Sequence, residues 1–455
     1  MMRLMIAGTG SGSGKTTVTC AILAALKNRG QNIVSLKCGP DYIDPMFHKT
    51  ATQVESRNLD LFLMGEDAVR DSLSRSMQNH DLAVIEGVMG LYDGLGQTDQ
   101  YSSNHLSLAT QTPVILVVNA RGKALSLCAE VKGFLEFETN RVVGVILNNV
   151  NAKSYSFYRD MLETQLKVGV FGFLPHLPEA EIASRHLGLI TADEISDLRK
   201  KIDLLALQAE QTLDLDAILN VANQAPELEN TGKFRPSDNT VDQPVRLYVS
   251  RDGAFCFYYE DNHELLERLG ASLHFFSPLH DEEIPDDADG IIFWGGYPEL
   301  YAGELADNTA MKNSIRCHFE RGVPIYAECG GYIYLLKSLT DAEGTRHDMT
   351  GIIPGEAAMT GRLQKFGYVE LTANCKNLLC QKGETIRGHS FHYSQSTDEG
   401  NVFTATRVSR GDTWPCIMAT EQLFAGYPHL HFGSNPEFAV NLVKACRQYR
   451  RNQGS

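Results

Sequence analysis

The 455-residue sequence has no apolar stretch approaching the roughly 20 residues that cross a bilayer as a helix, so no membrane partner is expected. It also lacks a long lysine or arginine cluster and carries a formal net charge of -15. Nucleic-acid backbones require a concentrated basic surface, so a nucleic-acid partner is not expected either. An anionic substrate would have to be met by local basic residues. The ten cysteines include no CxxC pair, which argues against a disulfide scaffold or a structural zinc site. Most of them read as buried thiols that act as small hydrophobes. The start MMRLMIAGTG runs into a glycine-rich segment rather than a cleavage site, so a cytoplasmic location is expected. There is no long repeat or low-complexity tract, and no coiled-coil seam sets a subunit count, which leaves a homodimer open.

Against these absences, a hydrophobic content of 43% and a charged content of 21% fit globular cores, and the length implies about two to three domains. The runs RLMIAG, NIVSLK, LAVIEG, PVILVVNA and VVGVILNNV read as buried strands alternating with helical patterns. That is the signature of a parallel, doubly wound α/β domain, placed at 1–224. The polar, proline-bearing stretch 225–244 reads as a linker. VRLYVS, DGIIFWGG and VPIYAECGG then restart the alternation, giving a second α/β domain at 245–449. GYVELTA and the turn-rich region from Asp341 to Gly361 suggest an antiparallel extension within it.

GTGSGSGKTT lies between a strand and a helix. A glycine-rich loop there surrounds a phosphate with backbone N–H groups. Gly8, Thr9, Gly12, Gly14, Lys15, Thr16 and Thr17 are the candidate ATP-binding residues, with Lys15 reaching the terminal phosphates and Thr16 holding Mg²⁺. Five residues, not the common four, separate Gly8 from Gly14. The bland alternative is a glycine-rich turn with an incidental lysine. Glu86 ends an apolar strand at the carboxyl edge of the sheet, where ligands of open α/β folds gather, and suits Mg²⁺. In KCGPDYIDP, Asp41 is a second metal candidate, while Lys37 and Asp44 are placed on the substrate side; taken alone the segment is a weak signal, since Asp beside Pro and Gly is ordinary loop chemistry. Asp93 reads as a substrate-orienting group or a turn former. Asn148 and Asn149 end a strand, where an amide reads an adenine edge or caps the strand.

Cys329 sits where VPIYAE breaks into paired glycines and a new apolar run. This is the form of a nucleophile elbow: a sharp strand-to-helix turn exposes the side chain at a helix N-terminus, which favours a thiolate. Gly330, in that turn, and Gly295 and Gly296, at another strand end, are candidates to direct N–H groups at a developing oxyanion. His429 and His431 share one side if extended, and one of them is the expected base for Cys329.

Taken in order, GTGSGSGKTT, KCGPDYIDP, EGVMGLYDG, GGYPELY, AECGGYIYL, GRLQKFGYVEL, RGHSFHYS and YPHLHFGSNP resemble the cobyrinate a,c-diamide synthase family across almost the whole chain. The resemblance implies an N-terminal P-loop domain similar to dethiobiotin synthetase and a C-terminal class I glutamine amidotransferase-like domain. It further implies ATP, Mg²⁺, L-glutamine and a tetrapyrrole such as cobyrinate, with amidation of the a and c acetates through acyl phosphates. Nickel-sirohydrochlorin is the alternative substrate, and a nucleotide-switched binding protein with a non-catalytic second domain is the alternative of another class. Carry-over assigns Gly8 to Thr17 to ATP, Glu86 to the metal and Cys329 to attack on glutamine. Class I glutaminases usually carry Glu two residues after the catalytic His; here that place after His429 is His431. Ser390 stands where many relatives carry an acid, while Arg387, His389 and His392, with Arg362 and Lys365, read as substrate-side or structural groups.

Overall fold

Strands buried on both faces read as unbroken apolar runs because helices cover the sheet from either side. In a computed structural model of the chain, which describes residues 1–181, 192–228 and 243–453, the runs of the first half form one such sheet. Its strands are β1 (Met2–Gly8), β2 (Ile33–Cys38), β3 (Glu55–Leu59), β4 (Leu82–Glu86), β5 (Val114–Asn119), β6 (Val142–Asn148) and β7 (Gly169–Leu174). They lie in the order β3-β2-β4-β1-β5-β6-β7, every pair parallel. β1 is therefore central, and Gly8, Lys37, Glu86 and Asn148 all sit at or beside the carboxyl ends of their strands. Ligands of open α/β sheets bind along that edge.

Helix α1 (Lys15–Asn28) follows β1 and buries Val18, Ala21, Ile22 and Ala25 in a core shared with Leu198, Ile202, Leu205 and Ala209 of the helix Ala192–Thr212. Arg3 anchors β1 without a carboxylate. Its guanidinium is fully buried and donates to Thr110 O (3.2 Å) and Pro226 O (2.6 Å). Burial, then Arg141, lower its pKa to about 10.

Among the described residues, the second unit has three sheets. A six-stranded sheet runs β20-β21-β11-β10-β8-β9, from β8 (Val245–Ser250), β9 (Ala271–Phe276), β10 (Gly290–Phe293), β11 (Ile325–Glu328), β20 (Met418–Ala419) and β21 (Leu423–Gly426). All its pairs are parallel except β20 at the edge. A five-stranded antiparallel sheet joins β15 (Gly367–Ala373), β16 (Thr385–Ser390), β18 (Phe403–Arg407), β19 (Thr413–Cys416) and β22 (His429–Leu430). GYVELTA is β15, so it does lie in an antiparallel extension. The region 341–361 departs from that expectation. Its strands β13 (Arg346–Asp348) and β14 (Glu356–Met359) join β12 (Ser338–Thr340) and β17 (Ser394–Ser396) in a mixed sheet, because β14 returns parallel to β12.

The chain divides into Met1–Leu61 with Gly65–Phe234, and Phe62–Met64 with Arg235–Ser455. Most of the expected linker, residues 229–242, lies outside the described residues. Among the described residues no helix is long and apolar enough to cross a membrane.

Candidate active site: a phosphate loop and a strand-end thiol

The loop between β1 and α1 depends on glycine at two points. Gly14 has φ 98°, and a Cβ there would lie 1.9 Å from Asn148 Nδ2. A Cβ on Gly8 would lie 2.1 Å from Ser13 Oγ. Asn148 donates from Nδ2 to Ser13 O (3.0 Å), so the amide at the end of β6 braces the loop. Lys15 donates to Gly10 O (3.0 Å) and Met89 O (2.5 Å), which bridges the loop to the segment after β4. Burial and then Lys37 lower its pKa. Thr9 donates its N–H to Val117 O, Gly12 takes φ 76° in open space, and Thr17 lies in the first turn of α1.

Glu86 is fully buried and gathers the polar residues of this edge. Its Oε1 accepts from Thr16 Oγ1 (2.8 Å) and Lys37 Nζ (2.9 Å), and its Oε2 lies 2.8 Å from His48 Nε2. Burial opposes a charged Glu86, yet Lys37 and His48 outweigh it and hold the carboxyl well below the usual range. Burial likewise works against Lys37, but Glu86 and Asp44 raise it above an ordinary lysine. Lys37 and Asp44, expected on the substrate side, are thus ion-paired with each other at 2.6 Å, and Lys37 is buried.

Asp41 accepts the N–H groups of Ile43 (2.8 Å) and Asp44 (3.3 Å), which organises the start of α2 (Ile43–Thr52). Burial, then Asp44, push it up to about 6. Asp93 accepts from Gly90 N–H (2.8 Å), the turn-forming arrangement of its two readings. Among the described residues no group of three or more His, Cys, Asp or Glu side chains is set to enclose a metal. The adjacent Thr16 hydroxyl and Glu86 carboxylate do suit Mg²⁺, which takes one or two protein oxygens and draws the rest from phosphate and water.

In the other unit, β11 ends at Glu328 and the helix Gly330–Leu335 begins at once. Cys329 turns the corner with φ 44°, a conformation that non-glycine residues hold only under local strain. Its N–H is fixed on Gly426 O (2.8 Å), and its Sγ lies 4.0 Å from Phe391 O. The glycines let other backbone close on the elbow. A Cβ on Gly330 would come 2.9 Å from Gly296 N, one on Gly331 2.3 Å from Phe293 O, and one on Gly295 2.3 Å from His429 Cε1.

His429 on β22 is the histidine that meets the thiol. Burial opposes its protonation, but Cys329 and then Glu328 outweigh it and push His429 up to about 10. Its Nδ1 lies 3.5 Å from Glu328 Oε2. His431, the other candidate base, uses Nδ1 to accept Gly433 N–H (3.0 Å) and packs on Tyr259, with ring centroids 4.9 Å apart. That places it in the turn that follows β22, because a 3₁₀ segment starts directly after it. His392 stacks on Tyr427 at 3.8 Å and donates from Nδ1 to Ser394 O; burial lowers it to about 4. Burial, then His429, lower His389 to about 3, and Ser390 is buried beside it. Lys365 pairs with Glu399 and lies 5.3 Å from the Trp414 ring centre. Arg387 donates its N–H to Ser434 Oγ, and Arg362 is exposed. Sequence reasoning missed His48, which meets Glu86, and Glu328, which meets His429. Neither was marked by a local signal in the sequence.

One unit thus presents a glycine-rich loop between strand and helix and the other a strained thiol beside a buried histidine, parts that a glutamine-hydrolysing ligase requires. Residues 4–190 match the CobQ/CobB/MinD/ParA nucleotide binding domain, and residues 246–437 match the CobB/CobQ-like glutamine amidotransferase domain. A cobyrinate a,c-diamide synthase of Caldanaerobacter subterraneus subsp. tengcongensis is 36% identical over 452 residues, covering 98% of this chain and 99% of that protein. Proteins of the same name from Priestia megaterium (40% over 459 residues, 99% of this chain and 98% of that one) and Salmonella typhimurium (41% over 452 residues, 98% of each) are similar throughout. The chain belongs to the cobyrinate a,c-diamide synthase family.

Proposed function

We propose that the enzyme amidates the a and c acetate carboxylates of cobyrinate in turn, using ATP and glutamine and passing through acyl phosphates, in cobalamin biosynthesis. The observation that carries this reading is end-to-end similarity to proteins of that name, in a chain that holds both a nucleotide loop and a thiol centre. A free carboxylate is a poor acyl acceptor for ammonia because its leaving group would be oxide. Transfer of the γ-phosphoryl group to the carboxylate oxygen supplies phosphate as a leaving group instead.

Lys15 would neutralise terminal phosphate oxygens, and the N–H groups of the loop would hold the chain of phosphates. Thr16 and Glu86 would hold Mg²⁺, whose chemistry when bound is charge neutralisation at the transferring phosphoryl group. Lys37 and His48 keep Glu86 ionised for that task. In the other unit, Cys329 sulfur, its proton already held by His429, bonds to the glutamine carboxamide carbon. His429 returns a proton to the departing nitrogen, ammonia leaves as the C–N bond breaks, and water cleaves the glutamyl thioester to glutamate. Ammonia then bonds to the acyl phosphate carbon and phosphate departs.

The test is an assay of purified protein with cobyrinate or nickel-sirohydrochlorin, ATP, Mg²⁺ and glutamine. Expected is cobyrinate a,c-diamide, with two ATP and two glutamines consumed per product, and with ¹⁸O moving from labelled carboxylate into inorganic phosphate. Amidation of nickel-sirohydrochlorin alone would overturn the substrate, and unlabelled phosphate would overturn the acyl phosphate.

A further inference from the structure

In a strand, consecutive side chains face opposite ways and alternate ones face the same way. Tyr326 and Glu328 follow that rule on β11: both are buried, and the Tyr326 hydroxyl donates to Glu328 Oε1. Cys329 escapes it. Its φ of 44° ends the strand geometry, so the thiol and the preceding carboxylate both meet the same imidazole.

The two oxygens of Glu328 have separate tasks. Oε1 accepts from Tyr326 and from the N–H of Leu430 (2.8 Å), the residue directly after His429. Oε2 faces His429 Nδ1 at 3.5 Å. The carboxylate is therefore hydrogen-bonded to the strand that carries the base and lies within ion-pair distance of the base itself. The place two residues beyond His429, where an acid would be expected, holds His431, whose Nδ1 is already an acceptor for Gly433 N–H. Tyr326 is in turn fixed by a parallel stack on Phe424, with centroids 5.2 Å apart and planes at 5°.

We infer that Glu328 is the positioning carboxylate of the glutaminase site: it holds the proton of His429 on Nδ1, leaves Nε2 for the Cys329 thiol, and is itself held by Tyr326. It acts through His429 and touches no reacting atom. A carboxylate so placed fixes the tautomer and orientation of the imidazole and stabilises the imidazolium formed when the thiol gives up its proton. The third member of the thiol–imidazole–carboxylate set thus comes from the residue before the nucleophile. The inference rests on the glutaminase reading above.

The test compares Glu328→Gln, Glu328→Asp and Tyr326→Phe with the unaltered full chain. Three quantities are read: kcat and KM for glutamine hydrolysis, ammonia-dependent amidation, and the pH dependence of Cys329 alkylation by iodoacetamide. Glu328→Gln is expected to lower glutaminase kcat by about 100-fold with KM within about threefold. It should also move the onset of alkylation to higher pH and leave ammonia-dependent amidation unchanged. Glu328→Asp should recover part of the loss, and Tyr326→Phe should lose several-fold in kcat alone. Unchanged kcat and alkylation profile in Glu328→Gln overturn the inference. Parallel loss of ammonia-dependent amidation in all three variants also overturns it, by making Glu328 a structural group. If the unaltered chain frees no ammonia from glutamine, the glutaminase reading itself has failed, an outcome separable from the other two.

Discussion

His429 carries a charge that burial alone would remove. Its pKa, raised to about 10 by Cys329 and Glu328 against burial, lies above the value of about 6.5 expected in an unfolded chain. The folded state therefore binds a proton that the unfolded state has released, and the sign follows. Stability linked to His429 is fully present below about pH 6.5 and is lost as pH rises toward about 10. Urea unfolding of the full chain, followed by fluorescence between pH 6.5 and 10, is expected to show stability falling with pH. His429→Asn should flatten that fall, and an identical slope in the variant would remove the assignment. The sequence marked this position but not its charge state. His429 and His431 were equal candidates because an HxH spacing says only that two rings share a side, and it took the turn after β22 to separate them. Glu328 was illegible for the opposite reason. A residue next to a cysteine on a strand is expected to face away from it, and only the left-handed backbone of Cys329 cancels that rule.

Where a local segment specifies its own conformation, the reading from sequence carried furthest. The strand, glycine loop and α1 follow from GTGSGSGKTT and its flanks, as the strand-turn-helix at Cys329 follows from AECGG. What failed were contacts set by register between distant strands and by helix packing. Lys37 meets Glu86 because β2 and β4 are neighbours with those residues in register, and His48 arrives from α2. Neither is written in local spacing. Gly14 tests how tightly the loop is built. Alanine there would keep φ near 98° at a backbone cost of about 1–2 kcal/mol, and its Cβ would drive into Asn148 Nδ2. Gly14→Ala is expected to raise the KM for ATP at least tenfold in both glutamine- and ammonia-dependent synthesis, with glutamine hydrolysis retained. An unchanged ATP requirement would show that Asn148 and the loop yield without loss.

Two units with separate chemistries make a statement that neither makes alone. If Cys329 only liberates nitrogen, its removal must be repairable from outside, whereas removal of Lys15 must not. Serine at 329 keeps size and polarity but substitutes a hydroxyl, whose proton is far harder to remove, for the thiol. Cys329→Ser is expected to lose glutamine-dependent amidation by about a thousandfold or more, with the ammonia-supplied rate within about twofold of normal. Lys15→Ala takes away the ammonium that bridges the phosphate loop to the segment after β4. It should lose synthesis with either nitrogen donor, because an unactivated carboxylate does not accept ammonia however it is delivered. The same pair of variants separates a ligase from a nucleotide-switched binding protein. A switch would tolerate Cys329→Ser in every assay and would lose a partner, not a product, with Lys15→Ala. Ammonia-dependent synthesis surviving in Lys15→Ala would place carboxylate activation outside the phosphate loop, and equal loss of both donors in Cys329→Ser would merge the two centres into one.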